Sequence, residues 1–201
     1  MNIKVCGITQ LKQLKQLEGL SIDFAGLDFQ KESERFVDGK IPADELKESD
    51  FDIKKTGVFG DAEMIDMLDA IDNYGLDVIQ LDGNESTEVC ADLSEEVEVI
   101  KTFNLGDGKV GIDEMVADYD DVCDYYLFEN TAKKFDWKVL SKAKIEKPFF
   151  IGGVITVDDA AAIKKIRHPD FYGININSNF EKEPGVKDMA LILQLKKALG
   201  W

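Results

Sequence analysis

The sequence predicts an α/β fold, a single compact (β/α)8 barrel of the TIM type spanning residues 1–201, and three observations carry that prediction. Eight short β-rich runs recur along the chain, segments with helical spacing separate them, and the length allots about 25 residues to each strand-and-helix unit. The strand runs are mostly apolar rather than alternating, as parallel strands covered on both faces should be. A doubly wound open sheet is the alternative that periodicity leaves standing.

In order, the strand runs are Ile3 to Cys6, Phe24 to Phe29, Thr56 to Phe59, Val78 to Leu81, Val97 to Phe103, Tyr125 to Phe128, Phe149 to Ile151 and Tyr172 to Ile176. Between them, Ala62 to Tyr74 places Met64, Ile65, Met67, Leu68 and Ile71 largely on one helical face and Asp66, Asp69 and Asp72 on another. Val186 to Leu199 repeats the pattern with Met189, Leu191, Ile192, Leu195 and Leu199. Glu85-Ser86-Thr87-Glu88 and Thr156-Val157-Asp158-Asp159 read as helix starts, with hydroxyl caps and acids near the positive end of the helix dipole. Lys31 to Asp52 is the most loop-rich stretch; its charges suit a solvated surface or a cover over a site. No Pro/Gly/Ser linker or low-complexity tract divides the chain, and such a compact barrel has no room for a second domain.

Composition narrows the partners. With 24 Lys plus Arg against 40 Asp plus Glu, the formal charge is -16, which argues against nucleic acid and against anionic membrane surfaces. No long apolar h-region opens the chain and no stretch approaches the roughly 18 apolar residues of a membrane span, so a cytoplasmic protein is expected. Cys6, Cys90 and Cys123 have no metal-like spacing, and a single histidine, His168, rules out a histidine-rich centre. A structural zinc site and a histidine-rich metal site are therefore not expected. Cys90 and Cys123 read as packing residues, and His168, beside Pro169, as a surface loop residue.

In a barrel, chemistry collects at the C-terminal ends of the strands. Those ends carry Cys6-Gly7, Gln30 to Arg35, Asp82-Gly83, Glu129-Asn130, Gly152-Gly153 and Asn177-Ser178-Asn179. A thiol and a carboxyl across one mouth can act as general base and general acid, and the two late loops can hold a phosphate by backbone N–H groups. Each has a plainer reading: Cys6 as a small buried hydrophobe, Glu129 as a solvated acid, Gly152-Gly153 as a tight turn, and Arg35 in a surface ion pair with Glu32 or Glu34. Lys4 shares the strand parity of Cys6, so both are expected to point into the barrel.

Taken together these residues resemble the phosphoribosylanthranilate isomerase family. Lys4-Val5-Cys6-Gly7-Ile8-Thr9 is similar to its Lys-x-Cys-Gly-x-Thr signature. Gly57-Val58-Phe59, Asp77 to Ser86, Lys134-Phe135-Asp136-Trp137, Gly152-Gly153 and Pro184-Gly185-Val186-Lys187-Asp188 follow in family order. The resemblance implies an Amadori rearrangement of N-(5'-phosphoribosyl)anthranilate in tryptophan biosynthesis, without metal or cofactor. It makes Cys6 the general base and Glu129 the general acid, sets Arg35 in the loop of a substrate-binding arginine, and puts the phosphate against Gly152-Gly153 and Asn177-Ser178-Asn179. Lys4, Asp82 and Asn175 join the substrate-binding set. Lys4 would favour the Cys6 thiolate, and apolar surroundings such as Phe128 would keep Glu129 protonated.

Four positions depart from the family pattern. Glu129 replaces an Asp, Asp82 a His and Asn175 an Asp, and the loop at Glu129-Asn130-Thr131-Ala132-Lys133 is shorter. Two further readings therefore stand beside the isomerase: a related barrel that only binds a phosphorylated ligand, and an enzyme acting on another sugar phosphate. The expected partner in each is a small phosphorylated molecule, and the expected assembly is a monomer or homodimer.

Overall fold

Eight parallel strands close on themselves in sequence order, and it is the pairing of the first with the last that decides between a barrel and an open sheet. In the computed structural model, which describes residues 1–106, 111–130 and 136–200, β1 (Asn2–Val5) sets Lys4 opposite Phe24 of β2 (Phe24–Asp28) on one side. On its other side Lys4 stands opposite Asn175 of β8 (Phe171–Ile176). Between them run β3 (Lys54–Phe59), β4 (Val78–Leu81), β5 (Glu98–Asn104), β6 (Tyr125–Asn130) and β7 (Phe149–Gly153). Each predicted strand is present, with ends moved by at most two residues.

Alternation along the strands builds two separate interiors. Inside the barrel, Phe24, Val78, Ile100, Leu127 and Phe150 form an apolar plug, with Phe24 and Phe150 edge to face at 5.3 Å. Outside it, Ile3, Val5, Leu27, Ile79, Phe128 and Ile151 pack against the helices. Above the plug the inward positions turn polar, which places Lys4, Gln80, Thr102, Glu129 and Asn175 towards the C-terminal mouth.

The helical layer is less regular than the strands. It comprises α1 (Leu11–Gly19), α2 (Ala43–Lys47), α3 (Met64–Tyr74), α4 (Thr87–Ser94), α5 (Ile112–Val116), α6 (Ala160–Ile163) and α7 (Met189–Leu199). After β6, among the described residues, a 3-10 helix, Trp137–Lys142, stands where an α-helix is expected. Ser86 caps α4 by accepting from Val89 N, and Asp159 accepts from both Thr156 N at 2.7 Å and Thr156 Oγ1 at 2.8 Å ahead of α6. In α3 the buried positions are Met67, Ala70 and Tyr74; Ile65, expected on that face, is 62% exposed. Val186 does not begin the last helix. With Lys187 it forms β10 (Val186–Lys187), antiparallel to β9 (Glu181–Glu183), and α7 starts beyond an Asp188 cap that accepts from Ala190 N and Leu191 N.

Two sets of contacts fix the loops at the mouth. The β9–β10 turn is tied to the first unit: Gly185 O accepts from Thr9 Oγ1 at 2.7 Å, and Lys187 N donates to Gln13 Oε1 at 3.0 Å. The loop after β4 is held by Glu85, whose Oε1 accepts from Asp61 N and Gly83 N while Oε2 takes the Lys101 ammonium at 2.7 Å, both side chains 3% exposed. Lys101 also donates to Gly83 O, so the buried charges are compensated on both sides. Cys90 and Cys123 are buried, as their packing role requires. His168 is a loop residue, but its ring is tucked edge-on against Phe149 and bonded to Ala143 O and Asp170 N rather than lying in solvent. Among the described residues no helix is long and apolar enough to cross a membrane. Residues 131–135 and Trp201 lie outside the described residues, and with them the shortened loop, Lys134-Phe135 and the expected packing of Trp201.

Candidate active site

Cys6 follows directly on β1 with its N–H bonded to Ile176 O, so the closure of the barrel itself sets its position. It is 6% exposed, and Lys4, two residues earlier on the same face, is fully buried. Gly26 on β2 makes room for both: a methyl there would lie 2.7 Å from Cys6 Sγ and 3.0 Å from Lys4 Nζ, which bounds the separation of thiol and ammonium by the sum of the two. Lys4 Nζ donates to Asn175 Oδ1 at 3.2 Å, and Asn175 Nδ2 donates to Glu129 Oε1 at 3.1 Å. Lys4, Asn175 and Glu129 thus form one continuous chain across the mouth. The amide at 175 fits because it accepts on one side and donates on the other, which a carboxylate could not do.

Gly152 belongs to β7 rather than to the loop after it, and its bare backbone clears space for Glu129: a methyl would meet Oε1 at 2.8 Å. Gly153, at φ +103, takes a backbone that favours glycine, and a methyl there would strike Asn130 O. Asp82 stands at the end of β4, open to the mouth, with Oδ1 accepting from Thr102 Oγ1 at 2.6 Å and Gln80 Nε2 at 2.8 Å. Asn177 lies beside Gly7, and its Oδ1 accepts from Lys187 Nζ at 2.8 Å. Ser178 is exposed on a 3-10 turn, Ser178–Phe180, while Asn179 Nδ2 donates to Ile155 O at 2.9 Å and ties the loops after β7 and β8 together.

Arg35 does not pair with Glu32 or Glu34 as the local sequence suggests. Its guanidinium forks onto Glu181 of β9, Nε to Oε1 at 2.9 Å and Nη2 to Oε2 at 2.6 Å. Proximity in sequence loses here to a buried carboxylate brought in by the hairpin.

Burial shapes the electrostatics. It pushes the Cys6 thiol up; Lys4 and Lys187 pull it down, Asp82 and Asp28 push it further up, and the net direction is upward. Glu129 is raised by burial and then by the charge of Asp82, against the opposing Asn175 hydrogen bond and Lys4. Lys4 therefore favours the thiolate as expected without prevailing. Phe128 is not the source of the rise at Glu129, because its side chain leaves β6 on the opposite face and packs against Phe103 and Phe149 outside the barrel.

Beside the mouth a separate cavity of about 460 Å³ opens between the loop after β2 and α3, floored by Phe29, Phe59 and Tyr74. Its rim carries Asp38, Asp61, Glu63, Asp66 and Asp69, the wrong sign for a phosphorylated ligand.

The family model described as N-(5'-phosphoribosyl)anthranilate (PRA) isomerase matches residues 3–198. The chain belongs to this isomerase family. It is 36% identical over 198 residues to the N-(5'-phosphoribosyl)anthranilate isomerase of Parabacteroides distasonis, covering 94% of this chain and 89% of that protein. With that of Phocaeicola vulgatus it shares 29% identity over 96% of this chain and 94% of the relative. Its fold is that of the phosphoribosyl anthranilate isomerase of Thermotoga maritima, with a TM-score of 0.83 at 24% identity, covering 99% and 98% of the two chains. A related structure of such an isomerase was solved in complex with reduced 1-(o-carboxyphenylamino)-1-deoxyribulose 5-phosphate.

Within this isomerase barrel, sequence reasoning does not single out Glu181, Lys187 or Asp28 as site residues. Glu181 lies in β9, and it is the antiparallel pairing of β9 with β10 that brings it back to Arg35.

Proposed function

We propose that this chain converts N-(5'-phosphoribosyl)anthranilate into 1-(2-carboxyphenylamino)-1-deoxyribulose 5-phosphate, with Glu129 as general acid and Cys6 as general base. The observation that carries the reading is the chain Lys4–Asn175–Glu129 beside Cys6, which sets an acid and a base on one mouth. Glu129 gives its proton to the ribose ring oxygen as the C1'–O4' bond breaks, leaving a protonated imine. Cys6 then removes the C2' proton, and the electron pair closes the C1'=C2' bond and neutralises the nitrogen. The enolamine becomes the ketone as C1' gains a proton and the C2' hydroxyl loses one, so the product is an isomer of the substrate.

Burial raises both groups, so the resting pair tends towards a protonated thiol. The working form moves that proton to the carboxyl. It has the same net charge as a thiol beside a carboxylate, and the two are tautomers of one singly protonated pair. Lys4 on the thiol side and Asp82 on the carboxyl side bias it in the productive direction.

Backbone N–H groups opening the Ser178–Phe180 turn have no acceptor within the turn and, with the Gly152-Gly153 segment, form the phosphate end of the site. The departures at 129 and 175 belong to one hydrogen-bonded chain and that at 82 to another, which favours retained chemistry over a binding-only barrel. The test is growth of a tryptophan auxotroph lacking this isomerase, paired with purified Cys6→Ala. Growth is expected, with turnover in the variant down by about a thousandfold or more while binding persists. Failure of the unsubstituted protein to turn over this substrate, or full activity in Cys6→Ala, overturns the proposal.

A further inference from the structure

The proton that the C2' hydroxyl loses as the enolamine becomes the ketone has no acceptor in the steps above, and Asp82 enters those steps only through its charge. Its carboxyl is held from one side. Oδ1 accepts from Thr102 Oγ1 at 2.6 Å and from Gln80 Nε2 at 2.8 Å, and Gln80 is 1% exposed. Both partners donate, so they stabilise the carboxylate form and fix its orientation. Oδ2 has no hydrogen bond among the described residues, and Asp82 is exposed to the mouth. An anchored carboxylate thus presents one acceptor oxygen to the space above the barrel.

The ligand restricts what that oxygen can meet. The proposed substrate carries a phosphate at one end and a carboxylate at the other, and each repels Asp82. Its middle is neutral and bears hydroxyls, which donate. Around the barrel, β4 lies three strands from β1, which leads into Cys6, and two from β6, which carries Glu129. The charge of Asp82 reaches both groups, pushing the Cys6 thiol and the Glu129 carboxyl up. Cys6 and Glu129 act on C2' and O4', so Asp82 approaches the same stretch of the pentose from another side. Burial pushes its own carboxyl up; the Thr102 and Gln80 hydrogen bonds and Lys4 pull it down, Glu85 pushes it up again, and the net direction is upward. That makes it a better proton acceptor than an ordinary carboxylate.

We propose that Asp82 is a further catalytic residue, whose Oδ2 accepts the C2' hydroxyl and takes its proton as the ketone forms, and that Thr102 and Gln80 are positioning residues that aim it. The inference rests on the reaction proposed above. As the O–H bond at C2' breaks, its electron pair becomes the second bond of C2'=O, and the C1'=C2' pair takes a proton at C1' from the Cys6 thiol, which returns to thiolate. Asp82 is left protonated and Glu129 ionised. Passage of that one proton from Asp82 to Glu129 through solvent at the mouth restores the starting state.

Binding tests the contact directly. The probes are reduced 1-(o-carboxyphenylamino)-1-deoxyribulose 5-phosphate, which carries a hydroxyl at C2', and its 2-deoxy counterpart. The unsubstituted protein should prefer the hydroxyl compound by about 10- to 100-fold in Kd, and Asp82→Ala by less than about threefold. Kinetics test the proton transfer. Asp82→Asn keeps an acceptor for Thr102 but cannot take the proton, and kcat should fall by about a hundredfold or more. Asp82→His supplies a base without the negative charge and should recover at least about tenfold of that loss. Thr102→Val should lower kcat by about tenfold in the unsubstituted protein and by less than about threefold in Asp82→Asn, a difference that a merely structural role would not produce. A hydroxyl preference that survives Asp82→Ala, a kcat within about threefold in Asp82→Asn, or no recovery in Asp82→His would overturn the assignment; the last is the result if Asp82 acts only through its charge on Glu129. Absence of turnover in the unsubstituted protein would instead refute the reaction itself, and the binding comparison would still test the contact.

Discussion

Gly26→Ala is a single-methyl test of whether the Cys6–Lys4 arrangement is built by steric allowance from the neighbouring strand. The added carbon would lie 2.7 Å from Cys6 Sγ, 2.9 Å from Cys6 Cα and 3.0 Å from Lys4 Nζ. Relaxed contacts between such atoms need about 3.5–4.0 Å, so thiol and ammonium must each retreat by roughly 1 Å, and Cys6 Cα, being backbone, cannot give way cheaply. Overpacking of this kind costs about 1–3 kcal/mol, which for a chain of this size lowers Tm by roughly 5 °C. Displacing a reacting group by about 1 Å costs on the order of a hundredfold in rate. The assay pairs kcat with a thermal melt, and Gly19→Ala serves as control, because nothing lies within 4 Å of a methyl there. The control should keep full activity and gain up to about 1 kcal/mol from helix propensity. Wild-type kcat and Tm in Gly26→Ala would show that the space around Cys6 is not set by that glycine, and the steric reasoning would fail.

Two further outcomes are expected. The pH dependence of kcat/KM should be a bell whose limbs belong to the Cys6–Glu129 pair: Glu129, raised by burial and Asp82, moves the acid limb above the usual carboxylate value of about 4.3, and burial of Cys6 moves the alkaline limb above about 8.5. Glu129→Gln removes the group that must hold a proton, so in whatever activity remains the alkaline limb should vanish and the rate should only rise with pH as Cys6 ionises; an acid limb at the ordinary carboxylate value in the unsubstituted protein would contradict the burial argument. Lys101→Met strands the buried Glu85 carboxylate and should cost about 3–5 kcal/mol in urea unfolding, whereas a loss below about 1 kcal/mol would mean that Glu85 is held by the Asp61 and Gly83 N–H groups alone.

The strands were legible because a parallel barrel strand is buried on both faces, and runs such as Val78 to Leu81 or Phe149 to Ile151 allow few other readings. The helical layer was less so. Ile65 satisfies the same periodicity as Met67, yet α3 is rotated so that Ala70 and Tyr74 face the core instead. Helical spacing fixes which residues share a face, and packing alone decides how far that face turns. At the site, Cys6 and Glu129 could be placed from strand ends, since each is set by one strand. The partner of Arg35 could not, because Glu181 is 146 positions away and meets it only when a short hairpin bends back over the mouth. Gly152 shows a subtler limit: a lone Gly-Gly suggests a turn, while its use here is the volume it leaves for a neighbouring carboxyl.

The pairing of β1 with β8 has a consequence for when this protein becomes active. Cys6 is synthesised well before Asn175 and Lys187, which complete its surroundings. The Lys4–Asn175 contact spans 171 positions. Bringing such distant segments together costs about 4–5 kcal/mol in chain entropy before any contact repays it, and folds dominated by such contacts form slowly. A nascent chain with the other seven strand pairs in place would hold its thiol at an unpaired sheet edge, without the amide that links Lys4 to the acid. Catalytic power in this barrel therefore arrives with the final zipping of its seam.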